Sequence, residues 1–211
     1  MLPLLVWAVG VRDAVPLRTV AQLMGNLSRV WFNRGELALP VVKWFALGAV
    51  PAAIVGGILF ATAPITALVR FVGIILLLTV AYRHTRWGKN ARIGLRGFLP
   101  LGAGSSFLSA LAGTVGPIMA PFFLAYGLVK GAYIGTEALA TVVMHVVKLG
   151  VYGKYSLLSI RILLIGLAIG SVMILGSYLG KRILNRVPER LFPYIIEGVL
   201  IAAGLLFVVR G

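Results

Sequence analysis

The sequence predicts an all-α membrane protein, a polytopic helical bundle of about seven spans with inverted repeats and a re-entrant or broken helix pair. Three observations lead there. Of 211 residues, 60% are hydrophobic and 12% charged, whereas a soluble domain keeps roughly 25% charged to hold its surface in water. The apolar runs have helical length and lack the alternation of period two that barrel strands need. The two halves of the chain also resemble each other at a shift of 118–119 residues.

Composition excludes several function classes. The chain carries 20 Lys+Arg against 5 Asp+Glu, a net charge of +15. In a soluble protein that excess would point to nucleic acid, but the apolar content turns it toward orientation and anionic lipid. The expected partners are therefore a small anionic substrate and a bilayer including anionic lipids, with no nucleic acid and with a homodimer left open. There are no cysteines, which removes disulfides, thiol catalysis and thiolate-bound metals. With only two histidines, His84 and His145, no metal site and no cofactor is expected. Leu2, Pro3, Leu4, Leu5 and Val6 follow Met1 without a positive region or a small-residue cleavage site, so no signal peptide is expected. The apolar opening, residues 1–11, is about half of the roughly 20 residues a spanning helix needs.

The elements follow in chain order. Residues 14–32 form an apolar run with internal polar positions, 44–60 is nearly free of charge, and 64–82 contains one, Arg70. Residues 95–112 and 117–128 are short and separated by Gly113-Thr114-Val115-Gly116. Residues 132–151 again hold internal polar positions, and 162–180 and 191–209 are apolar apart from Glu197.

The connecting segments set the orientation. Residues 83–96 hold Arg83, Arg86, Lys89, Arg92 and Arg96 with no acid, and 181–190 hold Lys181, Arg182, Arg186 and Arg190 against Glu189. The positive-inside rule places both in the cytoplasm and the uncharged 61–66 outside. Residues 33–43 then fall inside and 152–161 outside, provided 95–128 is a re-entrant pair returning to the cytoplasm. The alternative, two ordinary thin spans, would force 181–190 outside against the charge rule.

The repeat sharpens this picture. Met1-Leu2-Pro3-Leu4-Leu5 parallels Met119-Ala120-Pro121-Phe122-Phe123, and Gly48 parallels Gly166. Residues 14–32 run inward and 132–151 outward, the inverted arrangement of secondary transporters. Arg18, Gln22, Asn26 and Arg29 recur as Glu137, Thr141, His145 and Lys148, at the same spacings of 4, 4 and 3. At 100° per residue each set spans about 80° of arc, one polar stripe per helix. A charge at membrane depth costs roughly 2.5–3.5 kcal/mol on insertion scales. Interhelical bonding or snorkelling accounts for Arg18 or Lys148 singly, but not for a matched stripe in both halves. The stripes are read as lining a polar cavity between the repeats.

The segment Gly97-Phe98-Leu99-Pro100-Leu101-Gly102-Ala103-Gly104-Ser105-Ser106 leads to Ser109, Gly113, Thr114, Gly116 and Pro117. Pro117 suits a first helical turn, where its missing N–H is no loss. The free N–H groups of a half-helix starting there favour an anion. The competing reading is that Gly and Ser allow close packing, and packing is the preferred account of Gly166/Gly170 and Gly176/Gly180.

Asp13-Ala14-Val15-Pro16, Gly25-Asn26-Leu27-Ser28-Arg29, Gly135-Thr136-Glu137-Ala138 and the run from Phe107 through Gly113-Thr114-Val115-Gly116-Pro117-Ile118-Met119-Ala120-Pro121 resemble the TauE/SafE sulfite exporter family. The resemblance covers essentially the whole chain. It implies a bacterial inner-membrane transporter of small sulfur-containing anions such as sulfite and sulfoacetate. It also implies the division into residues 1–82, a first repeat lacking its N-terminal re-entrant segment, 83–96, a basic cytoplasmic linker, and 97–211, the second repeat.

On this reading Arg29 and Lys148 supply positive potential at the substrate. Asn26, Ser106, Thr114 and His145 supply neutral hydrogen bonds, and Gly116 opens the half-helix. Glu137 and His145 are the proton-coupling residues, since histidine titrates near physiological pH. The alternative is a non-transporting membrane subunit or a truncated, inactive family member. An intramembrane enzyme is less favoured, because neither H-E-x-x-H nor G-x-S-x-G occurs.

Overall fold

The structure is a computed structural model and describes residues 5, 9–64, 93–112, 116–192, 194–196 and 198. The expected span 64–82 except Pro64, most of 83–96, Thr114 and most of 191–209 lie outside the described residues.

Among the described residues six α-helices carry the fold: α1 (Val11–Phe32), α2 (Leu39–Thr62), α3 (Phe98–Ala112), α4 (Gly116–Ala125), α5 (Lys130–Lys154) and α6 (Ile160–Arg186). Among the described residues there is no strand. By length and composition α2, α5 and α6 can each cross a membrane. The long helices run past the apolar stretches that predict them. The largest correction is to residues 181–190, expected as a loop. Residues 181–186 continue α6, and Lys181, Arg182 and Arg186 fall in its last turns, where cations meet the partial negative charge of the exposed carbonyls.

Local chemistry sets the ends. Pro40 lies in the first turn of α2, and the Ser159 hydroxyl accepts a hydrogen bond from the Ile162 N–H at 3.2 Å to open α6. α4 ends at Ala125, and Gly127 two residues on takes a φ of 94°, which glycine reaches without a Cβ penalty. The Leu128 N–H donates to the Phe123 carbonyl, and the Gly127 N–H to that of Leu124, so the helix end is satisfied.

Glycines let the backbones of α2 and α3 touch. A Cβ on Gly48 would strike the Leu99 carbonyl, one on Gly102 the Phe45 carbonyl, and one on Gly56 would stand 3.0 Å from the Phe107 carbonyl. Rising residue numbers in α2 meet rising numbers in α3, so the two run parallel. α4 then returns. Phe98 at the start of α3 packs edge-on against Phe123 at 5.1 Å and against Tyr126 at 5.3 Å. α3 and α4 are therefore a hairpin that starts and finishes at one end of the bundle, as a re-entrant or broken pair requires.

The remaining packing gives the bundle two ends. α6 lies along α1 and α5 along α2, while α1 and α5 pack on each other. At the first end Lys181 donates to the Asn33 side-chain oxygen at 2.6 Å and pairs with Glu36 at 3.2 Å. At the second end Phe60 packs on Tyr152 at 5.5 Å, with Val15 and Leu111 in the same apolar cluster. Gly166 and Gly170 face α1, through Val20 and Met24, whereas Gly48 faces α3. The parallel glycines Gly48 and Gly166 thus serve different interfaces. Gly176 and Gly180 meet nothing within 4 Å among the described residues, which corrects their reading as packing positions there.

Candidate functional site

The site is built on α1 and α5. Gly131 of α5 lies against Glu36, and Gly135 against Asn33 and Leu37. Each step forward from α1 is matched by a step back along α5, so the helices are antiparallel. Continuing that register sets Arg29 across from Glu137, and Arg18 across from Lys148. The electrostatics agree: Glu137 feels the charge of Arg29, and His145 feels both Lys148 and Arg18.

Lys148 is completely buried at 0% exposure. Its ammonium donates to the Ser109 hydroxyl at 2.9 Å and to the Ser109 carbonyl at 3.2 Å. Snorkelling is thereby excluded for this lysine, because a snorkelling side chain keeps its head group in water. An ammonium has three donors, and these two bonds are its hydrogen bonds among the described residues. Four residues on, the Tyr152 hydroxyl donates to the Ala110 carbonyl at 2.9 Å. Both contacts fix α3 and α5 side by side and parallel at this level.

One turn back on each helix stand Ser106 and His145, both buried. The Ser106 hydroxyl and His145 Nδ1 have no hydrogen-bond partner among the described residues, and neither has Asn26 Nδ2 on α1. A buried polar atom left unpaired costs about 1–3 kcal/mol, so each needs an explanation outside ordinary packing. Asn26 uses its oxygen to accept from Arg29 Nη1 at 3.2 Å. Glu137 accepts from the Thr141 hydroxyl at 3.2 Å.

The expected site residues thus separate into two groups. Lys148 and His145 lie one turn apart on α5, with Arg18 acting on both from α1, and Ser106 stands one turn before Ser109 on α3. Arg29 and Asn26 lie further along α1, facing Glu137. Arg18 and Arg29 are 11 residues apart, roughly 16 Å of helix, so Arg29 and Lys148 belong to different levels of the same helix pair. Gly116 opens α4, and Thr114 lies outside the described residues. Ser109 and Arg18 were not among the expected site residues. Arg18 was visible as the first rung of its stripe; Ser109 carries no signal beyond its place in a Gly/Ser-rich segment.

With this geometry in view, the chain matches the sulfite exporter TauE/SafE family over residues 1–207. It belongs to that family. No curated protein and no solved structure matches the chain. The TauE/SafE match spans α1 through α6 and every site residue named above. Of the most specific motif of the TauE/SafE resemblance, from Gly113 to Pro121, the described part, Gly116 to Pro121, forms the first turns of α4. Gly135-Thr136-Glu137-Ala138 falls where α5 meets the turn after α1, and the Thr136 hydroxyl accepts from the Ala38 N–H at 3.0 Å. The chain is a membrane protein by family and by its apolar helices.

Proposed function

We propose that this chain is a multi-pass secondary transporter of the bacterial inner membrane that exports a small anion, sulfite or an organosulfonate such as sulfoacetate. The observation that carries the reading is the fully buried Lys148 ammonium, which among the described residues is held by Ser109 alone, one helical turn from the Ser106 hydroxyl and from His145 Nδ1, neither of which has a partner among those residues. A cation and neutral donors in a dehydrated pocket bind an anion more strongly than in water. Arg18 adds a second positive charge. The free N–H groups at the start of α4 belong to the same hairpin as Ser109 and add a positive helix end. His145 and Glu137 are the titratable side chains through which proton movement is coupled to anion movement. The chain works as a carrier and not as an enzyme: these groups bind and orient, and none forms a nucleophile–base pair.

The repeat division is part of the same reading: residues 1–82 and 97–211 as two repeats joined by the basic linker 83–96. An in-plane two-fold axis exchanges α1 with α5 and α2 with α6. The antiparallel α1–α5 contact, and the pairing of α6 with α1 and of α2 with α5, support it.

The test is anion flux in proteoliposomes. The parent should carry sulfite down its gradient, and Lys148→Ala should not, while remaining inserted and monodisperse. Unchanged sulfite flux in Lys148→Ala would remove the site; absence of any anion flux in the parent would remove the transporter reading.

A further inference from the structure

The two-fold relation has a chemical asymmetry. Positions related by the 119-residue shift are Arg18 with Glu137, Gln22 with Thr141, Asn26 with His145 and Arg29 with Lys148. Because α1 and α5 are antiparallel, each end of the pair combines the first rung of one stripe with the last rung of the other. One end therefore carries Arg18 and Lys148, two cations. The other carries Arg29 and Glu137, a cation and a carboxylate.

The Arg29 end otherwise repeats the features of the Lys148 end. His145, three residues before Lys148, is buried with Nδ1 unpartnered; Asn26, three residues before Arg29, is buried with Nδ2 unpartnered. Asn26 is held by Arg29, whose Nη1 donates to its oxygen, and this leaves the amide donors turned away from that bond. Glu137 is held by Thr141. Among the described residues the one ion pair within 4.0 Å is Lys181–Glu36. Arg29 and Glu137 consequently face each other within electrostatic reach but form no ion pair within 4.0 Å.

We infer that Arg29 and Asn26 form a second, two-fold-related site for an oxyanion, in which the Glu137 carboxylate supplies the negative charge that substrate supplies at Lys148. This rests on the transporter reading for the identity of the anion. Glu137 is a resident counter-charge: it offsets Arg29 and repels an incoming anion. Replacing it with a neutral side chain of the same shape should turn the Arg29 end into a working anion site. Glutamine keeps an oxygen for the Thr141 hydroxyl, so Glu137→Gln is the least disruptive change.

The experiment is isothermal titration of the detergent-purified full chain with sulfite, repeated with sulfoacetate. The expected result is one anion per chain in the parent, two in Glu137→Gln, and one again in Arg29→Ala/Glu137→Gln. Glu137→Ala carries the same expectation and replaces the glutamine variant if that variant is not monodisperse. The inference is judged by the increment alone. If removing the carboxylate adds no bound anion, or adds one that survives Arg29→Ala, the second site is refuted, whatever the parent binds. If the parent binds none but Glu137→Gln gains one that Arg29→Ala removes, the Arg29 site stands and the Lys148 assignment falls.

Discussion

Lys148 decides most at the scale of the residue. A fully buried ammonium persists only where its desolvation is offset, and here the offset among the described residues comes from Ser109 alone. Removing the Ser109 hydroxyl leaves one carbonyl for the whole charge. Ser109→Ala should lower stability in detergent by about 1.5–3 kcal/mol, the range for hydrogen bonds to charged groups, and reduce anion flux without abolishing it. Thermal unfolding of the purified variant beside the parent measures the first part, and flux the second. Lys148→Arg should restore flux only in part, because a planar fork does not fit the seat of a compact ammonium. Full flux in Lys148→Arg would mean that charge alone matters there. The sequence makes His145, Lys148, Asn26 and Arg29 legible, since their spacing puts them on one stripe per helix. It leaves Ser109 illegible, because a serine at a helix interface and a serine holding a buried cation look alike until the opposite helix is known.

Glycine shows the same limit at the scale of the element. Gly48, Gly102, Gly166, Gly170, Gly176 and Gly180 all sit in apolar helices at spacings that permit close packing, and nothing local ranks them. The tertiary arrangement does. Gly48 and Gly102 face carbonyl oxygens of the neighbouring helix, which cannot rotate away. Gly48→Val should therefore overpack the α2–α3 seam and cost about 1–3 kcal/mol or more. Gly176→Ala and Gly180→Ala add a methyl where nothing lies within 4 Å among the described residues and should stay within about 0.5 kcal/mol of the parent. Unfolding temperatures of the three variants in one detergent check the contrast, and equal losses would mean that α6 has a partner on that face. The break between α3 and α4 was legible from Gly113, Gly116 and Pro117. The hairpin's closure was not, because it depends on Phe98 meeting Phe123 and Tyr126 across more than twenty residues, roughly two short helices.

The whole molecule has two distinct ends, and the charge bias and the packing agree on which segments share each one. At the first end Lys181 bonds Asn33 and Glu36, and Arg34 and Arg182 lie over the rings of Trp31 and Tyr178 at 4.4 and 4.7 Å. Aromatic and basic side chains of this kind anchor a helix end at a membrane surface. At the second end Phe60 and Tyr152 close the bundle with Leu157 and Leu158. The chain has no native cysteine, so single cysteines report sidedness directly. Gly35→Cys and Asn185→Cys should both resist a membrane-impermeant maleimide added outside intact cells, and Tyr155→Cys should react. The two parts of this expectation rest on different physics. Shared sidedness of positions 35 and 185 comes from the Lys181 contacts, so opposite labelling of those two would break the packing of α6 on α1. Assignment of that shared side to the cytoplasm comes from the positive-inside rule alone. Labelling of both from outside, with Tyr155→Cys protected, would keep the fold, invert the protein in the membrane, and put the Lys148 end on the cytoplasmic side of the Arg29 end.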